Sequence, residues 1–209
     1  HFPDAALLCD PINVSGQILL DGLSWAPNRL TISNQWIRFP QEGFRLTVSN
    51  DVTILKGATV GRLDIGASVL TNFGVGTTGG AWNGYRFFGA STAPELQVGG
   101  SLVLTNGALL HVYSAPTNGV APEYGALVNV GGTMRIEENS WVYPYAHWSN
   151  GAAPLFRVQS LTVATNAGFI ADYAGYGISS SGVNYGPGRA AYTKGGSYGG
   201  LGGGVTDAG

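Results

Sequence analysis

Charge is what this chain has least of. Asp, Glu, Lys and Arg make up 11% of its 209 residues, against about a quarter in ordinary soluble domains. The net charge is −2 and no basic stripe is present, so nothing is available to neutralise a run of phosphates and nucleic acid is not an expected partner. Cysteine is almost absent. Cys9 stands alone, which excludes an internal disulfide and any metal-binding cysteine spacing. It reads as a small buried hydrophobe or as a bridge to another segment. No apolar run approaches the ~20 residues of a membrane span. No His-x-His or Glu-x-x-His pattern occurs, so no metal site is implied, and no cofactor. No glycine-rich stretch ends in Gly-Lys-Ser/Thr, which excludes a phosphate loop.

The place of charge is taken by Ser, Thr, Asn and, above all, 34 glycines. Hydrophobic residues still reach 44%, enough for a sizeable core. Gly and β-branched residues are poor helix formers, so this mixture favours short strands joined by tight turns.

One pattern recurs. Val98-Gly99-Gly100-Ser101-Leu102-Val103-Leu104 returns as Val130-Gly131-Gly132-Thr133-Met134-Arg135-Ile136. Looser copies begin at Val14 and Val48, and a fifth, Val158-Gln159-Ser160-Leu161-Thr162-Val163, is one residue shorter. Each is an apolar residue, a small polar corner, then apolar-x-apolar. The intervals are 34, 50, 32 and 28 residues, a range that signals a solenoid. The 50-residue interval is long enough to hide an extra coil. Further columns follow the valines: Tyr113, Tyr145 and Tyr173 in one, Leu109, Trp141 and Phe169 in another.

In chain order, residues 1–11 read as an N-terminal cap or lead-in strand. Residues 12–176 read as a stack of coils interrupted by a loop at 71–94. Residues 177–209 are glycine-dominated, carry too few apolar residues for a core of their own, and are expected to continue into a longer polypeptide. The start at His1 rather than Met fits a processed or excised piece. Three short strands per coil, each paired in parallel with its counterpart about 4.8 Å along the stack, would satisfy the pattern. A β-sandwich, the competing fold, does not require one column of residues to recur.

The Val-Gly-Gly-Ser-Leu-Val-Leu-Thr-Asn-Gly-Ala-Leu copy resembles the right-handed parallel β-helix repeats of large secreted and surface bacterial proteins, and the run from Gly175 to Gly204 resembles the glycine-rich segments that accompany them. The resemblance, over roughly residues 12–204, implies an all-β, right-handed parallel β-helix of about seven coils, secreted or on the cell surface. The wider pectin-lyase-like family contains lyases, hydrolases, tailspikes and adhesins, so the fold alone does not choose a function.

Catalytic chemistry is hard to find. Glu137-Glu138 are neighbours, which point to opposite faces of a strand and read as a solvated corner. Asp21, Glu42, Asp51, Asp64, Glu95, Glu123 and Asp172 have no spacing that ties two together, as glycoside hydrolysis requires. Arg135, Tyr143, His147 and Arg157 could gather on one face as the basic groups of a lyase; the alternative is that they simply face outward. Trp141, Tyr143, Tyr145 and His147 share parity, so one face of an extended segment carries four rings, with Trp148 adjoining. These rings either stack on neighbouring coils or form a platform for a sugar or a partner. Pro144 cannot donate to a ladder, which places the segment at an edge or corner. Trp82, Tyr85, Phe87 and Phe88 form a second aromatic group on the 71–94 loop.

The sequence therefore points to a non-enzymatic structural or adhesive module that self-associates or joins other chains of a surface assembly. A polysaccharide-binding or polysaccharide-degrading β-helix is the alternative.

Overall fold

The computed structural model describes residues 4–8, 14–17, 22–39, 43–58, 60–66, 92–147, 151–172 and 174–175. Among these residues the chain is all-β, without a helix, and every strand pairing is parallel.

Three ladders run side by side. The first contains β1 (Asp4–Leu8), β4 (Arg29–Ser33), β7 (Val52–Leu55), β10 (Leu102–Thr105) and the second half of β12 (Ala126–Ile136). The next contains β3 (Ser24–Trp25), β6 (Arg45–Val48), β9 (Glu95–Val98) and the first half of β12. Because β12 belongs to both, and β14 (Pro154–Val163) pairs along its length, these two ladders form one nine-stranded sheet. The third ladder is a six-stranded sheet of β2 (Val14–Gln17), β5 (Gln35–Arg38), β8 (Arg62–Ile65), β11 (Leu109–Tyr113), β13 (Trp141–Tyr145) and β15 (Gly168–Phe169). From β1 to β9 each strand pairs with the one three further along, and because β12 serves two ladders β10 and β11 pair with β12 and β13. Parallel neighbours must be reached by a crossover, and here the crossover consists of the two other strands of the repeat.

Alternation sets the core. Leu30 and Ile32, Leu46 and Val48, Val52 and Ile54, Leu96 and Val98, and Leu102 and Leu104 are all buried from their strands, as are Leu63, Leu110 and Val142 from the other sheet. The partners in register keep the same character: Leu30, Val52, Leu102 and Met134 form one column, and Ile32, Ile54, Leu104 and Ile136 the next. Full burial of one such side chain contributes about 1.5–3 kcal/mol, so the columns carry much of the fold.

Corner chemistry explains the recurring glycines. A Cβ on Gly99 would lie 2.2 Å from the Ser49 carbonyl oxygen, and one on Gly131 would lie 2.6 Å from that of Gly99. Only glycine lets successive corners approach closely enough for the Gly99 amide to donate to Val48 O at 2.8 Å and the Gly132 amide to Gly100 O at 2.8 Å. At the next corner Asn34, Asn106, Asn139 and Asn166 adopt φ of 54–61°, the left-handed region that Asn tolerates best after Gly. Asn166 Nδ2 donates to Asn139 Oδ1 there.

The register corrects three expectations. Val48, Val98, Val130 and Val158 do form one column, but Val14 does not belong to it. Val14 pairs with Gln35 in the six-stranded sheet, and the Trp25–Leu46 pairing puts Pro27 in line with Val48. The 50-residue interval hides no extra layer in this ladder, since β6 pairs directly with β9. Phe169 pairs with Val142, and it is Gly168 that meets Trp141. The cause is the short fifth copy. Val130 pairs with Val158 but Thr133 pairs with Ser160, so Gly131 and Gly132 stand against Gln159 alone, a β-bulge. Past it the step is 27 residues rather than 28 as far as the Val142–Phe169 pair, where the pairing ends; Tyr173, the expected partner of Tyr145, lies outside the described residues. Pro144, expected at an edge or corner, sits within β13 where β15 no longer covers the strand, an edge position. Trp141 N donates back to Ala108 O while Ala146 N donates forward to Ala174 O. The N–H that Pro144 lacks would point forward, beyond the end of β15.

The lead-in segment is a strand, β1, paired with β4 from Asp4↔Arg29 to Leu8↔Ser33. Cys9, almost all of the 71–94 loop and the whole of 177–209 lie outside the described residues.

Candidate functional site

Side chains that alternate away from the core of the six-stranded sheet form a single lateral array. Trp36 and Arg38 come from β5, Arg62 and Asp64 from β8, His111 and Tyr113 from β11, and Trp141, Tyr143 and Tyr145 from β13. Register places Arg38, Asp64, His111 and Tyr143 in one row across four strands, with Trp36, Arg62, Leu109 and Trp141 in the row beside it.

Asp64 is the centre. It is completely buried and accepts from Arg62 Nε at 2.6 Å, from Arg62 Nη2 at 2.8 Å and from Trp36 Nε1 at 2.9 Å. The two-pronged guanidinium contact is the strong form of the carboxylate pair. Burial pushes the Asp64 carboxyl above its ordinary range, while the Arg62 and Trp36 hydrogen bonds and the charge of Arg38 oppose that shift. The guanidinium carbons of Arg62 and Arg38 lie 4.4 and 5.2 Å from the centre of the Trp36 ring, within cation–π range.

The array continues through hydrogen bonds and ring contacts. Arg62 Nη2 donates to Tyr113 Oη at 3.2 Å, and Tyr113 Oη lies 3.3 Å from His111 Nδ1. Burial, then the nearby Arg62 charge, lowers the His111 pKa to about 3, so the imidazole is neutral near pH 7. Tyr113 Oη and His111 Nδ1 share a hydrogen bond, and His111 Nε2 is buried with no hydrogen-bond partner among the described residues. The His111 ring stacks on Tyr143 at 4.5 Å, and Tyr113 stacks on Tyr145 at 4.6 Å with the planes 4° apart.

Trp141, Tyr143 and Tyr145 thus share a face as their parity requires. Of the two readings of these rings, the contacts favour stacking: Tyr143 and Tyr145 each spend a ring face on the preceding layer. His147 does not extend the row. It lies past the end of β13, buried, where its amide donates to Ala152 O and its carbonyl accepts from Gly151 N. Trp148, Trp82, Tyr85, Phe87 and Phe88 lie outside the described residues.

Arg135, Tyr143, His147 and Arg157 do not gather. Arg135 and Arg157 belong to the nine-stranded sheet, and Arg135 pairs with Glu137 at 2.9 Å on the exposed surface, whereas Tyr143 belongs to the other sheet. Glu95 is held by Arg45 at 2.8 Å, and Asp51 accepts from the Ser101 amide at 2.8 Å. Among the described residues no cluster of three or more metal-ligating side chains occurs. An open cavity of about 590 Å³ at the asparagine corner is lined by Lys56, Val60, Gly61, Asn106, Gly107, Leu109 and Asn139, with Lys56 its one ionisable group.

Trp36, Arg62, Asp64, His111 and Tyr113 were not singled out by sequence as one site. The His111–Tyr143 contact was legible, because the 32-residue step that aligns Tyr113 with Tyr145 also aligns this pair. Asp64 was not, since 47 residues separate it from His111 across the long insertion.

A different surface is apolar. Leu161, Val163 and Phe169 are 47%, 44% and 40% exposed. Their counterparts one layer back, Met134, Ile136 and Val142, are 0–1% exposed. Compared with known proteins, the chain matches no family model, no curated protein and no solved structure.

Proposed function

We propose that the chain is a segment of a right-handed parallel β-helix that serves as a structural or adhesive module, secreted or on a cell surface, and acts by association rather than by catalysis. The observation that carries this reading is the last described layer, whose core-register side chains meet solvent where an interior layer would meet another strand. Exposed apolar faces of this kind mark interaction sites, and an unpaired strand edge is a template for a further strand.

The lateral array supports the same reading. Its carboxylate is engaged by a guanidinium and an indole, its imidazole is neutral and buried, and its rings lie against each other. Such an array locks four strands together, and among its described side chains Asp64 is the one carboxylate, where glycoside hydrolysis uses a pair.

Two measurements test the proposal. Hydrogen exchange on the isolated chain should find the forward-pointing amides of β14 unprotected. Incubation with acidic and neutral polysaccharides should release no sugar; turnover of any of them would overturn the non-catalytic reading.

A further inference from the structure

We infer that the Asn106-Gly107 pair is a self-modification site, at which the chain's own backbone converts the asparagine into aspartate and isoaspartate through a cyclic imide. The inference is independent of the association reading above.

Four asparagines turn the same corner with positive φ, and one differs from the rest. Asn34 is 3% exposed and is followed by Gln35. Asn139 and Asn166 are tied to each other through their side-chain amides and are followed by Ser140 and Ala167. Asn106 is exposed and is followed by glycine. Neither its side-chain amide nor the Gly107 N–H has a hydrogen-bond partner among the described residues. Both residues line the open corner cavity together with Lys56.

The turn is arranged so that it can open. Asn106 and Gly107 have φ of 56° and 80°, and Ala108 N closes the turn on Thr105 O at 3.2 Å. The same buried amide also donates to Ser140 Oγ at 3.2 Å, so releasing Thr105 O does not leave it unpaired. Glycine has no Cβ to crowd its nitrogen, and it lets the peptide plane between the two residues turn through conformations closed to other residues. That rotation brings the Gly107 nitrogen against Asn106 Cγ.

The step balances with water as the sole co-reactant. The Gly107 nitrogen gives up its proton to water and bonds to Asn106 Cγ. The Cγ–Nδ2 bond breaks, and Nδ2 takes a proton back and leaves as ammonia. Water then opens the ring. Addition at Cγ releases the Gly107 nitrogen from it and gives aspartate. Addition at the Asn106 main-chain carbonyl carbon gives isoaspartate, in which the chain runs on through Cγ. Nothing is oxidised or reduced. Either product puts a carboxylate into the cavity that holds Lys56, and isoaspartate lengthens the main chain at the corner between β10 and β11.

Asn118-Gly119 is the same dipeptide held shut. Asn118 Oδ1 accepts from Tyr124 N at 3.0 Å, Asn118 Nδ2 donates to Pro122 O at 3.2 Å, and Gly119 N donates to Thr117 Oγ1 at 3.1 Å. Electrophile and nucleophile are both engaged, so this pair is the internal control.

The full chain, incubated at mildly alkaline pH and sampled by peptide mapping with mass spectrometry, decides the question. Asn106 should convert about thirtyfold faster than Asn118, the rate equivalent of first breaking two ordinary hydrogen bonds, and should yield both aspartate and isoaspartate. In concentrated urea the two sites should convert at similar rates, because the difference comes from the fold. Gly107→Ala, followed in urea so that folding does not enter, should slow conversion at Asn106 several-fold. Equal rates at the two sites in the folded chain would overturn the inference. So would aspartate without isoaspartate at Asn106, or a Gly107→Ala chain that converts there as fast as the wild type.

Discussion

Arg62 grips Asp64 with two hydrogen bonds from only two residues away on the same strand, and between them Leu63 is completely buried in the core. A single strand thus carries an ion pair on one face and a hydrophobic anchor on the other. The pair also holds the Trp36 indole of the preceding layer and the Tyr113 hydroxyl of the following one. Three layers are coupled through one carboxylate and one guanidinium.

Asp64→Asn is expected to destabilise the chain by about 3 kcal/mol, the range found when one member of a buried pair is removed. Arg62 would keep its charge with its side chain only 18% exposed. Replacing both, as Arg62→Met with Asp64→Leu, should recover part of the loss, because no uncompensated charge remains. Urea denaturation of the single and double variants measures the coupling.

Acid should weaken the fold through His111. Its pKa is lowered from 6.5 to about 3, so the unfolded chain binds the additional proton between those values. The contribution is complete above pH 6.5 and is lost as the pH falls, by about 1.4 kcal/mol per pH unit. Asp64 has the opposite sign: its raised pKa contributes stability at low pH that disappears as the pH rises through that value. His111→Phe keeps a ring against Tyr143 and should flatten the stability profile between pH 6 and about 4. An unchanged profile would show that another group governs it.

Gly99→Ala should be among the most damaging small substitutions, because the added methyl carbon meets the Ser49 carbonyl at 2.2 Å and the corners must part. A loss above about 2 kcal/mol is expected, in the upper range for point changes. Gly175, with nothing within 4 Å of an added Cβ, is the control, and Gly175→Ala should stay within about 0.5 kcal/mol. Thermal or urea unfolding separates the two.

Asn139→Ala combines two losses, the hydrogen bond from Asn166 and the tolerance for φ of 61°. About 1–2 kcal/mol is expected from the strain of a left-handed alanine. Asn139→Gly relieves the backbone but not the hydrogen bond, so it should fall between wild type and Asn139→Ala in urea midpoint.

Much of this architecture was legible in the sequence. The apolar-x-apolar alternation after a small corner identified parallel layers, and the Val48, Val98, Val130 and Val158 column follows from spacing alone. Val14 misled because a strand of the other sheet shares the same local texture; spacing without register cannot tell two faces of one layer apart. Phe169 was misassigned because the single missing residue opposite Gly131 and Gly132 shifts everything after it. The aromatic row at Trp141, Tyr143 and Tyr145 was visible from parity. That the rings stack on His111 and Tyr113 rather than offering open faces depended on side-chain geometry. The burial of Asp64 was hidden for a plainer reason: its partners Trp36 and His111 lie 28 and 47 residues away, with no motif to join them.

The bulge opposite Gln159 has a consequence for how such a chain can vary. One residue is lost at a corner, yet Leu161 and Val163 return to the columns of Met134 and Ile136. The corner works as a slip joint, absorbing a change in contour length before the next strand begins. Layers of unequal length can therefore be added or shortened one at a time without retuning the rest of the stack, and drift in period along the chain is compatible with a constant cross-section.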